Sequence, residues 1–256
     1  MNIHPTAIVD KKAQLGENVL IGPFSQIGAK AVIGDNSEIG SNVILDRCSL
    51  GRDCIIGHCT IIGGLPQSIG IDRNIDSRVL IGNKNTIGEH VGIHRGSKVG
   101  GATTIGDENF IMSMVHIGHD CHICNNTIIT TFAGFSGHGY LGNRAVVGGN
   151  AGVHQFVRIG EMAMVGAMCK AVKDIPPYFM VEGVPAAARG LNTVGLKRSG
   201  VTVSEISAIK KAYKLMCRSE FNLSQAVEKI KADLEMTEQI SNLLKFIEES
   251  ERGVTL

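Results

Sequence analysis

The chain has 256 residues and a formal charge of +1, with 25 Lys and Arg against 24 Asp and Glu. That is enough for one or two domains with a sizeable core, and no global field is present to hold nucleic acid. No apolar run approaches the ~20 residues of a membrane span, which argues against stable membrane insertion, and no apolar leader opens the chain, so its seven cysteines read as free thiols of a reducing cytoplasm.

Glycine is the outlier, at 32 of 256 residues, well above the usual ~7%. It belongs to a repeat. An aliphatic residue, often followed by glycine, recurs every six positions at Ile3, Val9, Leu15, Ile21, Ile27, Ile33, Ile39 and Leu45. The register slips by one to Leu50, Ile56 and Ile62. It resumes at Ile81, Ile87, Ile93, Val99 and Ile105, and runs on through Ile117, Ile123, Phe135 and Val153 to Val165. A helix needs a period of 3.6 and a plain strand a period of two. A period of six fits short strands joined by tight turns. A small residue two before each aliphatic (Ser25, Ala31, Ala133, Ala145, Ala163) shares its inward face. This is the hexapeptide signature of a parallel β-helix, with three hexads to an 18-residue coil and coils stacked at about 4.8 Å.

Two stretches interrupt the coil. Residues 63–78 (GGLPQSIGIDRNIDSR) break the period and form an outward loop. A second excursion falls within 95–104 (RGSKVGGATT), with a length that preserves the register. After Ala171 the period ends, and a Pro-rich stretch (DIPPYFMVEGVPA) leads out. Thr202 and Glu205 have capping-box spacing before Ile206, Ile209, Tyr213 and Met216 on one helical face. LSQAVEKIKADL and EQISNLLKFIEES read as two more amphipathic helices. The fold expected is therefore an all-β parallel β-helix over 1–178, followed by an exit and a small α-helical domain over 179–256.

Chemistry concentrates in MVHIGHDCHICNN (114–126). In register, Cys121 takes the small inward slot, as do Cys48, Cys54 and Cys169, while Cys124 lies at a corner. One cysteine in and one out is poor zinc geometry, and no second C-x-x-C follows, so no metal is expected. His119 falls at a corner, and Ile117, Phe135 and Val153 open the same corner of three successive coils. His119, His138 and His154 follow them by two, three and one residues and should share one outer edge, with Asp120 on it and His116 beside it. A solvent edge does not need histidines for stability, so this edge is the candidate site.

The segments IHPTAIVD, VGIHRGSKVGG, HIGHDC, GFSGHG, VVGGNAGVHQF, DIPPYFMVEG and LNTVGLKRSG span nearly the whole chain. In them the sequence resembles the UDP-N-acetylglucosamine O-acyltransferases, hexapeptide-repeat enzymes that open lipid A biosynthesis. The resemblance implies a left-handed coil and a cytoplasmic homotrimer. It implies transfer of a 3-hydroxyacyl chain from acyl carrier protein to the glucosamine 3-position of a UDP-amino sugar, with no resident cofactor, since the donor brings its own phosphopantetheine. Carried over, His119 would be the general base, Asp120 its partner and Gly137 an oxyanion donor. His116, His138, His154 and Gln155 would bind substrate, as would Gln67 and Ser68 on the outward loop. Asn192 and Arg198 would meet the nucleotide, and Met164 and Ala167 would bound the acyl groove. Lys197, Arg198, Lys210, Lys211, Lys214 and Arg218 make a basic stretch suited to the acidic carrier protein.

Departures fall on the acceptor side. Ser68 and Gly70 stand where the family's loop usually has aspartate and lysine, Val194 where it has glutamate, and Ser199 where it has a second arginine. They raise the alternative of a 3-amino sugar nucleotide acylated to an amide. A hexapeptide acetyltransferase using acetyl-CoA is a second alternative, and a non-enzymatic β-helical scaffold a third. A zinc hydratase of the γ-carbonic anhydrase type shares the architecture but needs histidines five apart, and no pair here has that spacing.

Overall fold

The computed structural model describes residues 2–256. From Asn2 the chain winds into short, mostly two-residue strands that form three parallel faces. Among the described residues these faces hold 11, 9 and 8 strands. Up to Lys170–Ala171 each strand pairs with strands three before or after it in sequence, so equivalent residues are usually 18 apart, as in Ile111–Ile129–Val147–Val165 on the first face and Ile117–Phe135–Val153 on the second. The aliphatic of each hexad points into the prism. Ile117, Ile123, Phe135 and Leu141 have no exposed surface, and Ser25, Ala133 and Cys121 fill the small slots beside them. Apolar burial on this scale is the main stabilising term.

The corners carry residues in the left-handed region. Asp120, His138 and Phe156 have φ of 58°, 61° and 64° and lie 18 apart. Most non-glycine residues avoid this region, whereas Asn, Asp and His enter it more readily.

Val99 breaks the expected repeat. It is 82% exposed and lies in no strand. The strand Gly92–His94 on the second face is followed directly by Ala102–Ile105 on the third, so residues 95–101 leave the prism altogether. The excursion lengthens its coil from 18 to 24 residues, one added hexad, which is why the period runs through it unbroken. Beyond the expected limit at 178, Phe179–Glu182 stacks in parallel on Met164–Val165 and pairs with Ala187–Leu191 antiparallel.

A six-residue helix, α1 (Thr193–Arg198), was not legible in the periodicity. Then come α2 (Val203–Cys217), α3 (Leu223–Asp233) and α4 (Glu238–Glu248). The Thr202–Glu205 capping box forms as expected, and Ile209, Tyr213 and Met216 are buried while Ile206 is only partly so. Tyr213 packs edge-on against Phe179 at 5.2 Å, fixing α2 to the end of the β-helix. The tail folds back on the prism. Asp174 accepts from Ser250 Oγ at 2.7 Å, and Arg158 pairs with Glu249 at 3.2 Å.

Candidate active site

The corner between the second and third faces brings together three turns: Gly118–Asp120, Ser136–His138 and His154–Phe156. His119 and Asp120 form its centre. Nδ1 of His119 lies 2.7 Å from Oδ2 of Asp120, and their side chains are only 16% and 14% exposed. A carboxylate can only accept, so Nδ1 carries the proton and Nε2 presents its lone pair. Asp120 is fixed in turn by the Ser97 amide, which donates to both carboxylate oxygens at 3.1 and 3.0 Å. Burial pushes the Asp120 carboxyl up, but the hydrogen bonds from Ser97 and His119 and the nearby His138 outweigh it and hold the group below the usual carboxylate range.

That shift has a signed consequence. A carboxyl held down in the folded state contributes stability above its unfolded value, near about 3.9, and loses it as pH falls through the lower folded value. Asp120→Asn should therefore flatten the acid side of the stability curve. The thermal midpoint, measured between neutral pH and the onset of acid unfolding, should fall less steeply in the variant than in the parent.

Gly137 lies directly against the His119 ring. A Cβ there would sit 2.6 Å from Cε1 and Nε2 and 3.1 Å from Nδ1. At the same turn position of other coils, the backbone N–H is taken up by a side chain of the next coil, as Glu17 is by Asp35 and Asp107 by Asn125. The Gly137 N–H has no acceptor among the described residues. It is a free donor beside a free imidazole nitrogen.

His138 stands over His119 edge-on at 5.2 Å, and its Nε2 is 3.7 Å from Asp120 Oδ2. Burial pushes its imidazole below the usual value, against the pull of Asp120. The expected edge of three histidines is closed by a different residue. Phe156, 18 beyond His138, stacks on it at 4.5 Å, while His154 turns toward the tail, with Nδ1 3.4 Å from Arg252 Nη2. Gln155 occupies the rung of His119 and Gly137. On the second face His116 packs against His94 at 5.0 Å, and burial lowers both imidazoles. Gly134 and Gly152 follow His116 in register, with nothing within 4 Å of an added Cβ, and leave open floor beside the histidines.

The remaining expected residues are more dispersed. Gln67 and Ser68 are exposed on the outward loop, whose base adjoins the site because Leu65 O accepts from His94 Nδ1 at 2.8 Å. Asn192 is buried and holds the fold together. Its Oδ1 caps α1 through the Gly195 amide, and its Nδ2 donates to Met162 O. Arg198 is exposed and without an ion-pair partner among the described residues. Met164 and Ala167 are exposed on the first face and the corner after it, a different edge from His119. Met164 ends an apolar outward stripe formed with Phe110, Ile128 and Val146.

His119, Asp120 and His138 offer three donor atoms within 4.8 Å of one another. The 2.7 Å between Nδ1 and Oδ2 is hydrogen-bond length, whereas two such ligands on one tetrahedral zinc stand about 3.3 Å apart.

Sequence reasoning missed Ser97, His94 and Phe156. Phe156 was detectable from its 18-residue spacing to His138. His94 was hidden because the excursion sets it 22 residues before His116 while Gly92 and His116 pair across 24. A backbone amide such as that of Ser97 leaves no mark in a sequence.

Family models match this chain twice: UDP N-acetylglucosamine O-acyltransferase, domain 2, over residues 174–255, and the bacterial transferase hexapeptide repeat over 12–47 and 102–137. The acyl-[acyl-carrier-protein]--UDP-N-acetylglucosamine O-acyltransferases of Burkholderia orbicola and Paraburkholderia xenovorans are 42% and 43% identical to it over 98% of both chains. The UDP-N-acetylglucosamine acyltransferase structure from Francisella novicida superposes with a TM-score of 0.95 at 36% identity, covering 99% of this chain and 93% of that one. The Bacteroides fragilis structure gives 0.96 at 35%, covering 99% and 100%. The coil is thus the left-handed parallel β-helix of these enzymes. With its hexapeptide prism, helical domain and full-length likeness, the chain belongs to the UDP-N-acetylglucosamine O-acyltransferase family.

Proposed function

We propose that the protein transfers a 3-hydroxyacyl chain from acyl carrier protein to the 3-hydroxyl of UDP-N-acetylglucosamine, the opening step of lipid A biosynthesis. The observation that carries this reading is the His119–Asp120 pair with the free Gly137 amide against it. His119 Nε2 takes the proton of the sugar 3-hydroxyl as that oxygen attacks the thioester carbonyl. The carbonyl π pair moves onto oxygen, and the Gly137 N–H donates to the oxyanion. Collapse breaks the C–S bond, and the leaving thiolate takes the proton back from His119. Asp120 holds the imidazole in the Nδ1–H form and stabilises the transient imidazolium. Every proton and electron pair is accounted for without a metal, resident cofactor or acyl-enzyme.

His116, His138, His154 and Gln155 are assigned to substrate contacts, with Gln67 and Ser68 on the acceptor. Arg198 is assigned to the diphosphate. Asn192 contributes by fixing the start of α1, the helix that carries Arg198. The dyad and the apolar stripe ending in Met164 lie on different edges of the prism, so an acyl chain leaving His119 meets such a stripe on a second copy. This supports a homotrimer with sites between subunits. Lys197, Arg198, Lys210, Lys211, Lys214 and Arg218 are all exposed and none is in an ion pair among the described residues, which suits an acidic carrier protein. No helix among the described residues is long and apolar enough to cross a membrane, and we assign the reaction to the bacterial cytoplasm.

A hydroxyl is the favoured acceptor. The relatives are named O-acyltransferases, and a neutral hydroxyl is the nucleophile that needs a base. Product mass spectrometry tests this. The protein is given UDP-N-acetylglucosamine or its 3-amino analogue with a panel of 3-hydroxyacyl carrier proteins, beside acetyl-CoA. One added hydroxyacyl chain on the hydroxyl sugar is the expected result. A preference for the amine would reassign the acceptor, and no product with any carrier protein would overturn the reading.

A further inference from the structure

The excursion over residues 95–101 touches both the outward loop and the dyad. At its start, Arg95 is 6% exposed and has no carboxylate within ion-pair distance among the described residues. Its guanidinium donates instead to two carbonyls of the loop, Gly63 at its start at 3.3 Å and Arg73 within its second half at 3.1 Å, and Nε is buried without a partner. The Arg95 amide donates to Gly64 O at 3.0 Å, and the Gly100 amide to Asp76 O at 2.7 Å. Between these anchors lies Ser97, whose amide spans both oxygens of Asp120. A buried guanidinium hydrogen-bonded only to carbonyls, with the Asp46 carboxylate acting on it from beyond ion-pair distance, is costly, and burying it for packing alone would favour an apolar residue.

We propose that the 95–101 excursion is a positioning element that couples the outward loop to the catalytic dyad, with Arg95 and the Ser97 amide as its two working contacts. This rests on the proposed reaction, in which Gln67 and Ser68 on the loop hold the acceptor sugar. Arg95 ties the start of the loop to its second half, and the same short segment then delivers the Ser97 N–H to Asp120. The loop's placement and the orientation of His119 are thereby set together. Neither Arg95 nor Ser97 touches a reacting atom. Their effect passes through Asp120, whose carboxylate keeps His119 in the Nδ1–H form.

Two variants separate the contacts. Arg95→Met keeps apolar bulk and removes the donors to Gly63 and Arg73. Ser97→Pro removes the amide donor to Asp120, together with the hydroxyl, and fixes the local φ. Each is read by kcat and KM for UDP-N-acetylglucosamine, by the thermal midpoint, and by the His119 tautomer in substrate-free protein from ¹⁵N NMR. Losing a hydrogen bond to a charged group predicts a fall in kcat of about 10-fold to 100-fold for Ser97→Pro, with KM little changed. Arg95→Met should lower kcat and also raise KM, and both variants should show His119 as mixed tautomers well below their melting temperatures. Arg95→Lys, with charge and one donor centre restored, should recover part of the loss and serves if Arg95→Met does not fold. A lowered midpoint with kcat and tautomer unchanged would make the excursion a plain structural brace and overturn the coupling. A rise in KM alone for Arg95→Met would do the same. The tautomer readout needs no turnover, so it stands even if the proposed acyl transfer itself fails.

Discussion

His119→Ala lowers kcat by about 10²–10⁴-fold, the usual contribution of a positioned general base, and leaves the protein folded. Both halves of that expectation come from geometry. The side chain is a rim group with one strong tie, to Asp120, and it fills no part of the prism interior, where Ile117 and Phe135 hold the coil. Its loss removes the only imidazole nitrogen in the dyad with a free lone pair, while Gly137 still donates and the substrate contacts remain. KM for UDP-N-acetylglucosamine should change little, so the effect sits in kcat. Steady-state kinetics with acyl carrier protein as donor, beside a thermal melt, gives both numbers. A variant with more than a tenth of parental kcat would remove His119 from the role of base and move attention to His138, which shares the Asp120 carboxylate at 3.7 Å.

The same residues show what a sequence can and cannot disclose. The period of six marks the inward residues of the prism from Ile21 onward, including the four buried cysteines Cys48, Cys54, Cys121 and Cys169, while Ile3 in the first coil is exposed. Periodicity works there because each inward slot sees nearly the same surroundings, coil after coil. It failed where the environment stopped repeating. Val99 kept the count and left the prism, because the excursion adds one hexad to its coil. The corner histidines were legible as a group, since 18-residue spacing stacks their turns. Their internal order was not. His119 shares a rung with Gly137 and Gln155, Asp120 with His138 and Phe156, so a one-residue offset decides which ring stacks on which. The cap role of Asn192 depends on α1, a helix too short to leave a period. What joins the dyad to the loop is a main-chain amide and a buried arginine binding carbonyls, and carbonyls and amides look alike at every position.

Gly137→Ala tests the tightest packing in the site. Gly137 is not in the left-handed region, so alanine is conformationally allowed there. The obstacle is steric: the new methyl would lie 2.6 Å from two ring atoms of His119, well inside the ~3.5 Å of a favourable carbon contact. The backbone at this turn is held by the coils on either side, with His138 N bonded to His119 O and Phe156 N to Gly137 O, so the imidazole moves instead. An outward swing lengthens the bond to Asp120 and carries Nε2 away from the Gly137 amide, the proposed oxyanion donor. A shift near 1 Å costs on the order of 10²-fold in rate, and the expected loss in kcat is of that size with the amide donor still present. Gly190→Ala is the control. An added Cβ there meets nothing closer than Met180 Cε at 3.9 Å, so its melting temperature and kcat should stay near parental values. If Gly137→Ala keeps full kcat, the ring has room the structure does not give it, and the glycine cannot be what sets the base and the oxyanion donor at working distance.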